Sequence, residues 1–234
     1  MQIFLAGATG AIGRQLVPSL IAAGHEVSGT TRSEERAAWL AAAGARPVIV
    51  DAYDAEALRA ALVAARPEVV IDQLTDLARG FSAEDVASTG RLREVTTATL
   101  AEAALAAGAR RLVAQSGAWQ YADGPIPHDE THPLRTPTDE PKDAGLRGII
   151  ALERIVLGTP GIDGIVLRYG YLYGPGTAYT PEDAPDLKVS VEGAARATAA
   201  AAAVHHGPPG IYNVVDDIAD VSNAKARELL GWTP

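Results

Sequence analysis

The stretch Gly7-Ala8-Thr9-Gly10-Ala11-Ile12-Gly13 decides the fold of this chain. It directly follows an apolar run at residues 3–6, which is typical of a buried strand, and it opens a helical pattern at residues 11–23. A glycine turn lets backbone N–H groups approach a diphosphate, and the N-terminus of the next helix adds partial positive charge. We therefore predict a Rossmann-type βαβ unit that binds a nicotinamide dinucleotide.

Strand and helix patterns alternate along the rest of the chain. Apolar runs predict further strands at residues 26–30, 47–50, 69–72, 111–115, 164–168 and 210–214. Helical patterns with capping residues or terminal glycines lie at residues 33–43, 54–65, 90–107, 146–157, 191–204 and 223–230. This order predicts an α/β fold with a doubly wound parallel sheet. We place the nucleotide-binding domain at residues 1–173 and a reduced substrate-binding lobe at residues 174–234, in a single compact unit.

Composition excludes several classes of protein. The net charge of -9 and the absence of a basic stripe argue against nucleic acid as a partner. The chain has no cysteine, which excludes disulfides and thiolate metal sites, and we expect no metal. The first residues lack a signal-peptide pattern and no apolar run is long enough to cross a membrane. We expect a cytoplasmic monomer or homodimer that acts on a small-molecule substrate without a membrane partner.

The end of the second predicted strand indicates which cofactor is bound. An NAD-binding protein places Asp or Glu there to hold the ribose hydroxyls, whereas this strand ends in Thr30-Thr31-Arg32. Because a guanidinium can pair with a 2′-phosphate, we predict that NADP(H) is preferred over NAD(H). Arg14 is a second candidate phosphate partner, and Asp51 either accepts from the adenine amino group or caps a helix. The candidate cofactor-binding residues in these segments are Gly7, Thr9, Gly10, Ala11, Ile12, Gly13, Arg14, Thr31, Arg32, Asp51, Gln73 and Leu74.

Five stretches resemble the short-chain dehydrogenase/reductase superfamily, and in particular its atypical, extended branch related to NAD-dependent epimerases and dehydratases. They are residues 7–13, RLVAQSGAWQY at 111–121, ALERIV at 151–156, LRYGYLYGPG at 167–176, and IYNVVDD at 211–217 with SNAKARELLGWTP at 222–234. The resemblance implies that Ser116 is the catalytic serine and that it also contacts the cofactor. It further implies that the segment Tyr169, Gly170, Tyr171 and Leu172 contacts the nicotinamide.

The sequence departs from this family at its proton relay. Counting back from Glu153, the Tyr and Lys of the Tyr-x-x-x-Lys motif fall on Gly145 and Ile149, and the assisting Asn falls near Arg93. The usual tyrosinate with a lysine-lowered pKa is therefore missing, which disfavours sugar-nucleotide epimerisation or dehydration. Carbonyl reduction is less demanding, because an alkoxide needs only stabilisation and a proton.

We accordingly expect an NADPH-dependent ketoreductase, similar to the tailoring ketoreductases of phenolic polyketides, that acts on a small aromatic substrate. Ser116 and Tyr121 are its candidate catalytic residues, with His128, His132, water or a substrate hydroxyl as other proton sources. Trp119, Tyr121 and Tyr173 are candidate substrate-binding residues. The alternatives are a non-catalytic NADP(H)-sensing protein resembling NmrA-like regulators, and a sugar-nucleotide epimerase or dehydratase. The segment after Gly176 is shorter than in this family, which indicates either a cut-down lobe or missing flexible segments.

Overall fold

Strands and helices alternate throughout residues 1–77, 82–203 and 207–234, which a computed structural model describes. The strands are β1 (Gln2–Ala6), β2 (Glu26–Thr31), β3 (Arg46–Ile49), β4 (Val69–Asp72), β5 (Arg111–Gly117), β6 (Asp163–Tyr169), β7 (Tyr171–Tyr173), β8 (Lys188–Ser190) and β9 (Gly210–Val214). The α-helices are α1 (Ala11–Ala22), α2 (Glu34–Ala42), α3 (Ala55–Ala65), α4 (Ala83–Ala107), α5 (Ala144–Gly158), α6 (Val191–Ala202) and α7 (Ala224–Leu230). Short 3-10 helices cover Ala118–Gln120 and Pro141–Asp143.

Seven strands form one parallel sheet in the order β3-β2-β1-β4-β5-β6-β9. The chain runs outward from β1 to β3 and then returns to the other side of β1 at β4, so the strand order reverses between β1 and β4. Ligands of doubly wound sheets bind outside the carboxyl ends of the strands at this switch point. The predicted fold class is confirmed, and the glycine turn after β1 lies at the switch point.

The sheet is covered by apolar helix faces on both sides. Leu16 and Leu20 of α1 pack in one cluster with the buried alanines of α6, while Leu58, Leu62 and Leu100 pack in the cluster on the opposite face. Both β4 and β5 are buried along their full length, as expected for central strands of such a sheet. Within the described ranges, we find no helix that is both long and apolar enough to cross a bilayer.

Two details differ from the sequence predictions. Helix α4 begins at Ala83 and not at residue 90, because Ser82 and Asp85 form a reciprocal capping box with two 3.2 Å hydrogen bonds. The β7–β8 pair was not predicted, since strands of three residues carry no periodic pattern. The predicted end of helix α6 at residue 204 lies outside the described residues. The domain boundary at residue 173 stays a prediction, although α6 packs against α1 and β9 pairs with β6.

Glycines bring α4 and α5 into backbone contact. A Cβ atom at Gly90 would lie 2.2 Å from the Ala144 carbonyl oxygen, and one at Gly148 would lie 2.5 Å from the Gly90 Cα atom. At Gly145, where the family resemblance places a tyrosine, a Cβ atom would lie 2.5 Å from a methyl carbon of Val86. Ile149, where the resemblance places a lysine, is 1% exposed. The helix contact therefore crowds any side chain at residue 145.

We expect Gly148→Ala to lower the free energy of unfolding by about 1–3 kcal/mol, because the added methyl group overlaps the backbone of Gly90. This cost outweighs the gain in helix propensity, which is about 0.5–1 kcal/mol. Urea denaturation followed by circular dichroism would measure the difference. Gly158→Ala is the matched control in the same helix, since no atom lies within 4 Å of its added Cβ atom. Equal stability of the two variants would contradict the proposed close contact.

Candidate active site

A cavity of about 540 Å³ opens at the carboxyl ends of β1 to β5. Thirteen of the predicted site residues line it: Gly7, Thr9, Gly10, Ala11, Ile12, Gly13, Arg14, Thr31, Arg32, Asp51, Gln73, Leu74 and Leu172. Sequence reasoning missed the remaining lining residues: Thr30, Arg36, Val50, Ala52, Tyr53, Thr75, Asp76, Leu77, Leu92, Gln115, Gly176, Thr177 and Ala178. Six of these lie one to five residues after the end of β3 or β4, so the rule that ligands meet carboxyl ends of strands could have found them.

The glycine turn forms the middle of this cavity. Gly7 has φ +83°, and a Cβ atom there would lie 2.6 Å from the Gln73 carbonyl oxygen. Helix α1 starts at the turn with no side-chain cap and no acidic residue in its first turn. Its first N–H groups are therefore available to an anion, and the helix dipole favours one. A diphosphate suits this cradle in charge and in hydrogen-bonding capacity.

Three guanidinium-bearing residues, Arg14, Arg32 and Arg36, line one end of the cavity, which we call the arginine end. The Nε atom of Arg14 donates to the Thr9 carbonyl oxygen at 3.3 Å, and its guanidinium lies 5.0 Å from the ring centroid of Trp39. Arg36 belongs to the first turn of α2, whose cap is Ser33. Asp51 also lines this end, where its Oδ1 atom accepts from the Tyr53 N–H at 3.0 Å.

The opposite end of the cavity lies beside the last residues of β4 and β5, and we call it the β5 end. Gln73, Leu74, Gln115, Leu172 and Thr177 line it. Gln73 donates from Nε2 to the Tyr169 hydroxyl at 3.2 Å. Its buried Oε1 atom has no hydrogen-bond partner among the described residues. A ligand that donates a hydrogen bond would satisfy this atom.

The structure does not bring Ser116 into the cavity. Side chains alternate along β5, so Gln115 faces the cavity while Ser116 faces α5. Ser116 is fully buried and its hydroxyl donates to Glu153 Oε1 at 2.7 Å. Glu153 in turn accepts from Arg168 Nε and Nη2 at 2.9 and 2.7 Å. Ser116 therefore belongs to a buried ion-pair cluster. The motif match alone could not distinguish this structural role from a catalytic one.

Tyr121, the other candidate catalytic residue, also lies apart from the residues that line the cavity. Its hydroxyl donates to Asn213 Oδ1 at 2.7 Å, and its ring stacks on His128 at 5.2 Å between ring centroids. Burial raises the pKa of the Tyr121 hydroxyl, so this phenol is a weaker acid than a free tyrosine. His132 packs edge-on against His128 and bonds Asp129, so both candidate histidines belong to the same cluster.

The remaining predicted residues contribute packing at the edge of the site. The hydroxyl of Tyr169 is fully buried and contacts Thr198 at 2.6 Å, and burial raises its pKa to about 12. Gly170 packs against the backbone of β8, where an added Cβ atom would lie 2.7 Å from the carbonyl carbon of Lys188. Tyr173 donates to Asp216 at 3.0 Å, and Trp119 stacks on Tyr171.

Buried charges lie behind the cavity wall. Burial raises the pKa of the Asp72 carboxyl to about 6, and burial lowers the pKa of the Arg93 guanidinium to about 10. Asp72 accepts from the N–H of Leu74, a residue that lines the cavity. Arg93 interacts electrostatically with Asp72 and Glu153. Over the described part of the chain, we find no group of three or more carboxylate or imidazole side chains that could hold a metal ion.

A comparison with protein families indicates the same kind of ligand as the cavity does, a nicotinamide dinucleotide. Residues 3–214 match the model of the NAD dependent epimerase/dehydratase family. The chain belongs to this family. A short-chain dehydrogenase/reductase superfamily protein of Agrobacterium tumefaciens, solved with bound NAD, shares its fold with a TM-score of 0.78 at 17% identity. That match covers 100% of this chain and 92% of the other.

Two relatives of this chain are named as reductases. The chain is 44% identical over 237 residues to the 3-diazoavenalumate denitrifying reductase of a Streptomyces species, a match that covers 93% of this chain and 76% of the relative. It is 32% identical over 190 residues to the 4-hydroxy-2-methyl-3-oxo-4-farnesyl-3,4-dihydroquinoline-1-oxide ketoreductase of Stigmatella aurantiaca. The second match covers 78% of this chain and 54% of the relative. Family and relatives together make the chain an NAD(P)-dependent reductase of the epimerase/dehydratase family.

We expect Ser116→Ala to lower the free energy of unfolding by about 1–3 kcal/mol, because a buried hydroxyl that donates to a carboxylate is lost. The dissociation constant for NADP should not change, since Ser116 is absent from the cavity wall. Chemical denaturation and isothermal titration calorimetry would measure the two quantities. A variant with unchanged stability that loses hydride transfer would instead support the catalytic role implied by the family resemblance.

Proposed function

We propose that this protein is an NADPH-dependent reductase whose substrate is an aromatic diazo compound, reduced with loss of dinitrogen. The observation that carries the proposal is the 44% identity to a denitrifying reductase of a diazo substrate along nearly the whole chain. The missing Tyr-x-x-x-Lys motif supports it, since no tyrosine of this sequence is followed by lysine four residues later. When bound, NADPH would supply a hydride and leave as NADP⁺.

The proton balance of the reaction favours a diazo substrate in this site. An aryl diazonium group that gains a hydride loses N₂, so the C–N bond breaks, a C–H bond forms and no net proton is consumed. A ketone that gains a hydride becomes an alkoxide and must then be protonated. The family resemblance places the proton donor and its lysine at residues 145 and 149, which are glycine and isoleucine here. A reaction without net protonation is therefore the one that these residues permit most readily.

An NADPH-dependent ketoreductase is the second candidate, and the relative at 32% identity supports it. Its proton would come from water or from a hydroxyl of the substrate, because the Tyr121 hydroxyl is held by Asn213. The NADP(H)-sensing protein and the sugar-nucleotide epimerase remain further alternatives. Both reductase names weigh against the first, and the loss of the family's proton relay weighs against the second.

The arginine end supports NADP(H) as the preferred cofactor. Arg32 and Arg36 are exposed at the cavity wall, and β2 ends in threonines with no carboxylate to bind a ribose 2′-hydroxyl. Arg14 is held at the same end by the Thr9 carbonyl group and by the ring of Trp39. Guanidinium groups bind phosphate through paired, charge-assisted hydrogen bonds, so this cluster suits a 2′-phosphate.

We expect Arg32→Asp to weaken NADP binding roughly ten- to hundredfold. The reason is the loss of a charged hydrogen-bonding contact, which contributes about 1.5–3 kcal/mol to binding. NAD binding should change by less than about threefold, which corresponds to at most 0.7 kcal/mol. Isothermal titration calorimetry with both cofactors measures the ratio. Arg154→Asp is the matched control, because it makes the same charge change on an exposed part of α5 away from the cavity. If both cofactors weaken equally in Arg32→Asp, then Arg32 does not bind the 2′-phosphate.

The reaction itself can be tested with NADPH that carries deuterium at both C4 positions. We expect ortho-aminophenol, diazotised in situ, to yield phenol with one deuterium on the ring and one N₂ per NADPH oxidised. Mass spectrometry and gas analysis would measure these products against a reaction without protein. Turnover of acetophenone alone would favour the ketoreductase. Saturable NADPH binding without turnover of either compound would favour the sensing protein.

A further inference from the structure

We propose that Trp119, Tyr171 and Tyr179 form an aromatic wall that binds the planar ring of the substrate. The proposal names the substrate site of the reductase proposed above and rests on that function. It assigns the ring to the β5 end of the cavity, where the hydride acceptor must lie if the diphosphate occupies the glycine turn. Three lines of geometry support it.

The first concerns the end of β5. Gln115 lines the cavity, so the alternation of the strand directs position 117 to the same face and Ser116 to the opposite one. Position 117 is glycine, and the indole of Trp119 lies against it. A Cβ atom at Gly117 would lie 2.6 Å from the indole Cζ2 atom. The absence of a side chain at Gly117 therefore permits an indole ring on the cavity face of the strand.

The second concerns how the rings are arranged. Trp119 and Tyr171 are stacked, with ring centroids 5.0 Å apart and planes inclined by 23°. Tyr171 and Tyr179 meet edge to face, at 6.0 Å and 83°. All three residues are partly exposed to solvent, so they form an open aromatic surface and not a closed core. Offset stacking and edge-to-face contact are the arrangements that aromatic rings prefer, and a planar ligand ring can extend either one.

The third concerns the position of this wall along the chain. Trp119, Tyr171 and Tyr179 do not line the cavity themselves, whereas Leu172 and Ala178, the chain neighbours of the two tyrosines, do. The aromatic wall therefore begins one residue away from the cavity lining, beside Leu172 at the β5 end. A ring surface of this kind suits a flat aromatic group, which can stack on it or meet it edge to face. The wall thus favours an aromatic substrate.

The test compares two ligands that differ only in the ring, trans-cinnamate and its ring-saturated analogue 3-cyclohexylacrylate, in the presence of saturating NADP⁺. We expect the protein to bind cinnamate at least tenfold more tightly by isothermal titration calorimetry. Trp119→Ala should abolish most of this preference. Gly117→Ala should do the same, because its backbone conformation (φ -137°, ψ 133°) accepts alanine and only the indole has to move.

Controls separate loss of the wall from loss of the fold. Gly158→Ala should keep the full preference for cinnamate, since its added methyl group meets nothing within 4 Å. Trp119→Phe retains a ring and should keep part of the preference. NADP affinity and the melting temperature of Gly117→Ala should match those of the unmodified protein.

The proposal is overturned if the protein shows no preference for cinnamate, or if Trp119→Ala and Gly117→Ala both keep it. Its failure is distinguishable from failure of the proposed function. If Trp119→Ala still turns over diazotised ortho-aminophenol and still prefers cinnamate as the unmodified protein does, the wall is contradicted and the reductase is supported. A ring preference that depends on Trp119, in a protein that reduces neither test compound, would support the wall and contradict the reductase.

Discussion

The backbone contact between Gly7 and Gln73 is the constraint on which the rest of this structure depends. A single added methyl group at Gly7 would collide with the end of β4, and the positive φ of that residue disfavours any side chain. The contact sets the turn that starts α1 and leaves the first N–H groups of the helix facing a cavity. The arginine end and the β5 end of the cavity both extend from this anion cradle.

A second glycine contact sets how closely two helices approach. Helices α4 and α5 meet through Gly90 and Gly148, and the same close approach encloses Gly145. The packing of these helices therefore sets the space around residues 145 and 149, where the family resemblance places a tyrosine and a lysine.

Much of the fold could be predicted from the sequence, because the glycine turn and the alternating apolar runs are local signals. The arginine end followed from the residues after β2, although Arg36 was missed since a lone exposed arginine on a helix carries no signal of its own. The role of Ser116 could not be predicted. The motif match concerns its position only, whereas the direction of a side chain at the end of a strand depends on the register of β5 with β6. The contact of Trp119 with Gly117 could not be predicted from the sequence either, because it depends on the turn that follows β5.

The pairing of β9 with β6 has a consequence for the biogenesis of this protein. β9 forms one edge of the seven-stranded sheet, but it comes from residues 210–214, long after β6 has left the ribosome. Until those residues emerge, β6 presents unpaired N–H and C=O groups along a strand whose middle residues, Ile165, Val166 and Leu167, are apolar. Such an edge invites association with other chains. The interval between synthesis of β6 and of β9 is therefore the period when the nascent chain most needs a chaperone or rapid translation.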